Sequence, residues 1–377
     1  MITIQHPVDL ENTYPLDRIG PLDHLLFFDI ETTGFSGDTS SLYLIGCTYY
    51  EKETASWNMI QWFADTPDSE PELLTAFFTF LKNYTTLVHF NGDMFDIPYL
   101  LKRCGHLGLP FDFSGIASVD IYRKIRPYKR LLGLDSLKQK AIEQFLGISR
   151  KDMYSGGQLI EVYKDYLMTH EAFLYDMLIL HNEDDLKGMP LILPILNYPD
   201  MLEGEWKLTG QSIRASVQQS GGPFPEDFPV LELVFESPFS IPVPFQTAVP
   251  LSPSSDIRLL AEGRFVTCLL PLYEGELKYF YPNYKDYYYL PCEDTAVHKS
   301  VGEYVAKEAR KKATARTCYT KKSGLFVPQT ESLFQPAFRQ ELKDKITYAV
   351  YEEALFSDAP KAAAYLHALF SAASGCR

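Results

Sequence analysis

No apolar run in this 377-residue chain approaches the roughly 20 residues that a membrane-crossing helix needs. The opening stretch, MITIQHPVDLENTYP, has neither the basic nor the apolar region of a secretory signal, so the expected compartment is the cytoplasm and no membrane partner is expected. Cysteine is sparse. Cys47, Cys104, Cys268, Cys292, Cys318 and Cys376 include no close pair, which argues against a zinc site or a redox motif and leaves reduced structural thiols. No segment repeats, which excludes a solenoid of stacked copies. Positive charge is also in short supply: the formal net charge is −14, superficially the wrong sign for a polyanionic partner. Residues 1–200 hold 16 Lys and Arg against 28 Asp and Glu, a net −12, while residues 201–377 hold 19 against 21, a net −2. Bound divalent ions would neutralise part of that acidity, and local patches rather than net charge decide where a phosphate backbone lies.

The acidic half contains three short runs with a chemical pattern. In Leu25-Leu26-Phe27-Phe28-Asp29-Ile30-Glu31 a β-forming run ends in two carboxylates at i and i+2, which a strand points to one face. Thr32-Thr33-Gly34 follows, a small polar turn where a substrate backbone can come close. In the second run, Thr85 to Phe90 reads as a strand, Asn91-Gly92 breaks it, and Phe95-Asp96 opens a helical stretch. In the third, Ala172 to Leu186 has helical periodicity, so His181 and Asp185 share a face one turn apart. Oxygen ligands of this kind favour Mg2+ or Mn2+ over zinc, and two such ions clamp the attacking and leaving oxygens of a phosphoryl displacement. An unperturbed imidazole titrates at about pH 6.5, which suits His181 to the role of base for the attacking water.

The remaining pattern predicts an α/β fold. Strands are expected at Leu25–Ile30, Ser41–Tyr50 and Thr54–Phe63 as an antiparallel meander, then helix Glu70–Lys82, strand Thr85–Phe90, helix Phe95–Cys104 and strand Ala117–Tyr122. Helices Ser136–Phe145 and Gly157–Leu167 precede the long one ending near Gly188-Met189-Pro190. This is a mixed five-stranded sheet with flanking helices. A boundary is expected at Asn197-Tyr198-Pro199-Asp200, dividing residues 1–198 from a smaller β-rich α+β domain at 199–377. Eight prolines between Pro223 and Pro253 mark edge or loop material. Beyond them come strands at Arg264–Leu270, Leu277–Tyr281, Tyr287–Leu290 and Arg316–Thr320, with turns at Tyr273-Glu274-Gly275 and Lys322-Ser323-Gly324. A helix is expected over Asp294–Lys312, its acidic start and basic end suiting the dipole, and another over Ala354–Ala372.

The three runs resemble the motifs of the DEDD (DnaQ-like) 3′–5′ exonuclease superfamily of ribonuclease H-like fold, most closely its YprB-type bacterial members. The first motif matches at Asp29 and Glu31, the second at Asn91, Phe95 and Asp96, and the third at His181, Asn182 and Asp185. The resemblance spans roughly residues 22–195, including Leu134-Asp135-Ser136-Leu137-Lys138. It implies a ribonuclease H-like domain in which Asp29, Glu31, Asp96 and Asp185 hold two Mg2+ or Mn2+ ions, His181 is the base, and the substrate is DNA or RNA with single-stranded ends. One spacing departs from the pattern: family members place a tyrosine four residues before the last aspartate or a histidine five before it, and here a histidine stands at four.

Nucleic-acid contacts are expected at Thr32, Thr33, Gly34 and Asn91, and in two basic blocks. Arg123 to Arg130 holds five cations, among them Arg126, Lys129 and Arg130; Lys299 to Lys322 holds eight against two acids, among them Lys311, Lys312 and Arg316. Both blocks are also readable as solvated charged faces. Tyr279, Tyr281, Tyr284, Tyr287, Tyr288 and Tyr289 are read as core before base-stacking platforms. Asp93 and Asp184 are read as exposed or helix-end charges. The alternatives to an exonuclease are a non-catalytic nucleic-acid-binding or scaffolding protein that keeps the fold, and an endonuclease on structured RNA.

Overall fold

The protein is described by a computed structural model covering all residues except 11, 149–155, 216–228, 254 and 376–377. Two compact units divide the chain, Met1–Pro199 and Asp200–Arg377.

The first unit is a mixed sheet flanked by helices. Its elements are β1 (Ile2–Pro7), β2 (Leu25–Thr32), β3 (Leu42–Glu51), β4 (Ser56–Phe63), α1 (Glu70–Leu81), β5 (Thr86–His89), α2 (Asp96–Leu107), β6 (Ala117–Asp120), α3 (Ile121–Ile125), α4 (Gln139–Phe145), α5 (Gly156–Thr169) and α6 (Ala172–Ile192). Strand order is β1-β4-β3-β2-β5-β6. β2, β3 and β4 form the antiparallel meander, and β5 and β6 continue parallel to β2. The sheet has a sixth strand beyond the five expected from sequence: β1 pairs Ile2 with Phe63 through Pro7 with Asn58 on the open edge of β4. Its signal was the alternation of Ile2 and Ile4 with polar residues, and only that alternate face is half-buried. The central strands are apolar on both faces. Phe28 stacks on Phe77 of α1 at 5.8 Å, and Tyr43 stacks on Tyr163 of α5 at 4.2 Å. A buried ion pair fastens the helical layer: Arg103 of α2 meets both Glu70 oxygens at 2.6 Å, and Glu70 also accepts the Leu42 N–H at 3.0 Å.

The boundary expected at 197–200 falls within a helix, α7 (Asn197–Glu203). Pro199 falls in its first turn, where a missing N–H leaves no bond unmade.

The second unit holds β7 (Lys207–Ala215), β8 (Pro229–Glu236), β9 (Phe245–Ser252), β10 (Ser255–Glu262), β11 (Phe265–Pro271), β12 (Tyr273–Phe280), β13 (Tyr287–Leu290), β14 (Thr295–His298), α8 (Lys299–Gly302), β15 (Lys311–Lys312), β16 (Tyr319–Gln329), β17 (Thr347–Val350) and α9 (Ala359–Ser374). They build an antiparallel sheet, β7-β8-β11-β10-β9, and two three-stranded sheets, β12-β16-β17 and β14-β13-β15. The proline-rich stretch splits accordingly. β9, with Pro250, is an edge strand, but β8 is internal, tolerating Pro229 as its first residue; Pro223 and Pro225 lie outside the described residues.

Three further expectations change here. Tyr273-Glu274-Gly275 opens β12 and Lys322-Ser323-Gly324 lies inside β16, both paired in the β12–β16 ladder with Gly275 opposite Gly324. Gly275 leaves room for the Tyr273 ring, from which a Cβ would lie 3.1 Å, whereas Gly324 faces open space. The strand expected at Arg316–Thr320 begins at Tyr319, leaving Arg316 before it. Asp294–Lys312 is not one helix but β14, the single turn α8, a 3-10 turn at Lys307–Ala309 and β15. Its end charges are used in tertiary contacts: Asp294 accepts hydrogen bonds from the Tyr289 and Tyr319 hydroxyls and pairs with Lys321, and Arg310 lies over the Tyr288 ring at 4.6 Å. Tyr281, Tyr284, Tyr287 and Tyr289 pack around Ala296, Ala313 and Cys318, the core role expected of them.

No helix among the described residues is long and apolar enough to cross a membrane. The five described cysteines are free.

Candidate functional site

Three strands and two helices build the site. Asp29 lies opposite Gly46, and Gly46 opposite Gln61, so one residue from each of β2, β3 and β4 stands in a row on one face. α6 lies over this row because Gly46 has no side chain: a Cβ there would fall 1.9 Å from Asn182 Oδ1 and 2.5 Å from Leu186 Cδ1. Asn182 fills the gap. Its amide donates to Asp29 Oδ2 at 2.9 Å, and its oxygen accepts from Gln61 Nε2 at 2.9 Å. Gln61 donates as well to the Ile179 carbonyl at 3.1 Å, so two fully buried amides lock the register of helix on sheet and the orientation of Asp29.

Glu31, His181 and Asp185 follow from that docking. Glu31 is two residues along the same strand, and His181 and Asp185 flank Asn182 on α6. His181 Nε2 lies 3.5 Å from Glu31 Oε1 and 3.5 Å from Asp185 Oδ2. Ligand atoms of Glu31, His181 and Asp185 all fall within 4.8 Å of one another. Tyr43 donates its hydroxyl to Glu31 Oε2 at 3.5 Å, and Gln139, at the start of α4, donates to the Asp185 carbonyl at 3.3 Å. Asp96 is the buried first residue of α2.

Electrostatics tie Asp29 to the rest. Burial holds its carboxyl well above the usual range, and the negative charges of Asp185, Glu31 and Asp96 push the same way, opposed by the Asn182 amide. Burial raises Asp96 to about 7, against the pull of backbone N–H groups of Asp96 and Ile30 and with a further push from Asp120. A half-buried and a buried carboxyl, both held above their ordinary range by desolvation and by like charges, are an environment that a bound cation relieves, and the donor set fits a hard divalent ion.

The contact residues expected from sequence divide. Thr32, Thr33 and Gly34 form the turn leaving β2, with the Thr32 hydroxyl donating to the Gly34 carbonyl at 2.8 Å and the Thr33 N–H to the Ser41 carbonyl at 2.9 Å. Asn91 and Lys129 line one cleft of about 550 Å³ with Phe90, Tyr122, Lys138 and Gln139. Arg126 and Arg130 are exposed nearby in sequence, whereas Arg123 of the same block is paired to Asp93 at 3.1 Å. Lys311, Lys312 and Arg316 are exposed in the second unit. Asp93, expected as an exposed or helix-end charge, stands in the turn before α2, half-buried, and takes hydrogen bonds from Ser118 and Arg123, because that turn folds back onto β6. Asp184 is also half-buried. Gly46, Gln61, Tyr43, His89 and Asp120 were missed; a glycine inside the apolar run of β3 was the readable sign of close approach.

Residues 26–197 match the family model described as the RNase_H superfamily, and with the mixed sheet this gives the first unit a ribonuclease H-like fold. A 90-residue stretch is 31% identical to DNA polymerase 1 of Aeropyrum pernix, covering 24% of this chain and 8% of that protein. A 92-residue stretch is 35% identical to the DNA polymerase of Thermococcus aggregans, covering 22% and 5%. The chain thus spans under a tenth of the length of these curated relatives. Among solved structures, the family B DNA polymerase of Pyrobaculum calidifontis aligns with 47% of this chain and 25% of its own at 17% identity and TM-score 0.39. The zinc-bound E. coli ExoI–ssDNA complex aligns with 42% and 43% at 16% identity and TM-score 0.28.

Proposed function

We propose that the first unit is a divalent-metal-dependent 3′–5′ exonuclease of the DEDD type, YprB-like and cytoplasmic, hydrolysing phosphodiester bonds at single-stranded ends of DNA or RNA. The observation that carries this reading is Asp29: half-buried, oriented by Asn182, and under the charges of Asp185, Glu31 and Asp96. Asp29, Glu31, Asp96 and Asp185 would hold two Mg2+ or Mn2+ ions, whose chemistry is to acidify a bound water and to neutralise charge on the scissile phosphate. His181 takes the proton of the attacking water at Nε2, and the carboxylates of Glu31 and Asp185, each 3.5 Å away, stabilise the imidazolium that results. A second reading, His181 as itself a ligand, is favoured by the same proximity, and would make its loss a loss of metal affinity as well as of rate.

The cleft lined by Lys129 and Lys138 supports an approach of the strand from the Arg126–Arg130 side, since it shares Asn91 with the second motif and Gln139 with the carbonyl of Asp185. Lys311, Lys312 and Arg316 are proposed as a separate phosphate-binding block on the accessory unit, residues 199–377. The test is incubation of purified protein with 5′-end-labelled DNA and RNA strands in Mn2+ and then in chelator. A ladder shortening from the 3′ end that chelator stops is expected; intact strands of every kind in Mn2+ would overturn the assignment.

A further inference from the structure

Among the described residues a second set of ligand-type atoms lies within 4.8 Å of one another, on His89, Asp93 and Asp120. Their lone pairs are directed at protein donors. His89 Nδ1 accepts the Gly92 N–H at 3.0 Å, which leaves the ring proton on Nε2, 2.8 Å from Ser118 Oγ. Ser118 passes its own hydroxyl hydrogen to Asp93, and Arg123 closes the far side of Asp93 at 3.1 Å. Asp120, in register beside His89 at the end of the neighbouring strand, accepts backbone N–H groups from Asn91 at 2.9 Å and Asp93 at 3.3 Å, and from Arg123 at 3.1 Å.

Most of these bonds end on the turn from Asn91 to Asp93, and that turn is under strain. Asn91 has φ of 64°, a left-handed conformation that costs an L-residue about 1–2 kcal/mol. A Cβ on Gly92 would lie 2.7 Å from His89 Nδ1. The turn in turn starts α2: the Asn91 carbonyl accepts from Met94 and Phe95, and the Gly92 carbonyl from Ile97. Asp96 is the first residue of that helix.

We infer that Asp120 and the His89–Ser118–Asp93 relay are positioning residues, a hydrogen-bonded clamp that aims Asp96 at the candidate site, and not a second ion site. The inference rests on the reading of Asp96 as a ligand. Ser118→Ala, Ser118→Thr and Asp120→Asn test it through three readouts: backbone amide exchange at Asn91, Gly92 and Asp93 in metal-free protein, Mn2+ binding by calorimetry, and kcat against KM on a labelled single strand. Ser118→Ala is expected to speed exchange at Gly92 and Asp93 and to lower Mn2+ affinity by about 10–100-fold, the range for removing a hydrogen bond that supports a ligand. It should lower kcat with KM little changed. Ser118→Thr, which keeps the hydroxyl, should restore all three, and Asp120→Asn should expose the Asn91 and Asp93 amides. Exchange does not depend on nuclease activity, so the clamp is judged even for a protein that cuts nothing. The Ser118 pair decides the matter if Asp120→Asn fails to fold. Wild-type exchange and Mn2+ affinity in Ser118→Ala would overturn the inference, as would an Asp120→Asn protein that binds one ion fewer with the affinity of the rest unchanged.

Discussion

Two clusters of histidine and carboxylate lie in the same unit, built from the same residue types, and they solve the problem of buried charge in opposite ways. Around Asp120 and His89 the protein supplies N–H and O–H donors: four backbone amides, a serine and an arginine. Around Asp29 it supplies one amide and three more carboxylates. Residue type alone therefore does not mark a metal site. What separates the two is who satisfies the charge, the fold itself or something from outside.

The comparison is broken most severely by removing a carboxylate. Asp29→Asn or Asp185→Asn should abolish hydrolysis and tight Mn2+ binding while preserving the circular dichroism of the fold; wild-type turnover in either variant would mean that the site lies elsewhere. His181→Ala should slow the chemical step by about 10²-fold, the usual scale of a general base, and His181→Tyr should keep part of the rate. An alanine variant with an unchanged rate and unchanged pH profile would make the histidine a bystander. Gly46→Ala attacks the docking of α6. A methyl placed against Asn182 forces helix and sheet apart, at about 1–3 kcal/mol for overpacking, and the variant should show a lower melting temperature together with reduced Mn2+ affinity.

The clusters also respond oppositely to pH. Asp29 and Asp96 are raised on folding, so they favour the fold below the ordinary carboxyl value of 3.8 and lose that contribution as pH climbs toward the value of about 7 at Asp96. Burial lowers His89 from 6.5, so its contribution is present above that value and is lost as pH falls below it. Metal-free protein should thus lose melting temperature between about pH 4 and pH 7 through the acidic cluster, and Mn2+ should recover several degrees at neutral pH, given that about 1 kcal/mol moves a domain of this size by ~2–4 °C. Equal stabilisation by Mn2+ at pH 5 and pH 8 would contradict this. The smallest expected effect is at the surface: replacing Arg126, Lys129 and Arg130 with alanine should flatten the salt dependence of single-strand binding by roughly 0.7 log units per log unit of salt for each phosphate no longer neutralised. An unchanged slope would make that block ordinary solvated surface.

Much of the first unit was legible because its signals are local. Leu25 to Glu31 alternates nothing and ends in two carboxylates, as an internal strand leading to a site does, and the helix from Ala172 carries its own period. The supporting shell was not, because Gly46 and Gln61 are distant in sequence from the motif residue Asn182 and meet it only once three strands are in register. Asp120 was hidden for a similar reason: its partners are amides, which no sequence pattern displays. In the second unit, Asp294 to Lys312 has the end charges of a helix, yet Lys311 and Lys312 pair with Tyr289 and Tyr288. Strand pairing and the contacts of Asp294 outweigh propensity there.

The most direct measurement is an anomalous difference map from crystals soaked in MnCl2. Density for manganese among Asp29, Glu31, Asp96 and Asp185, with none among His89, Asp93 and Asp120, is the predicted result. Manganese at His89, or none beside Asp29, would contradict the distinction between the two clusters.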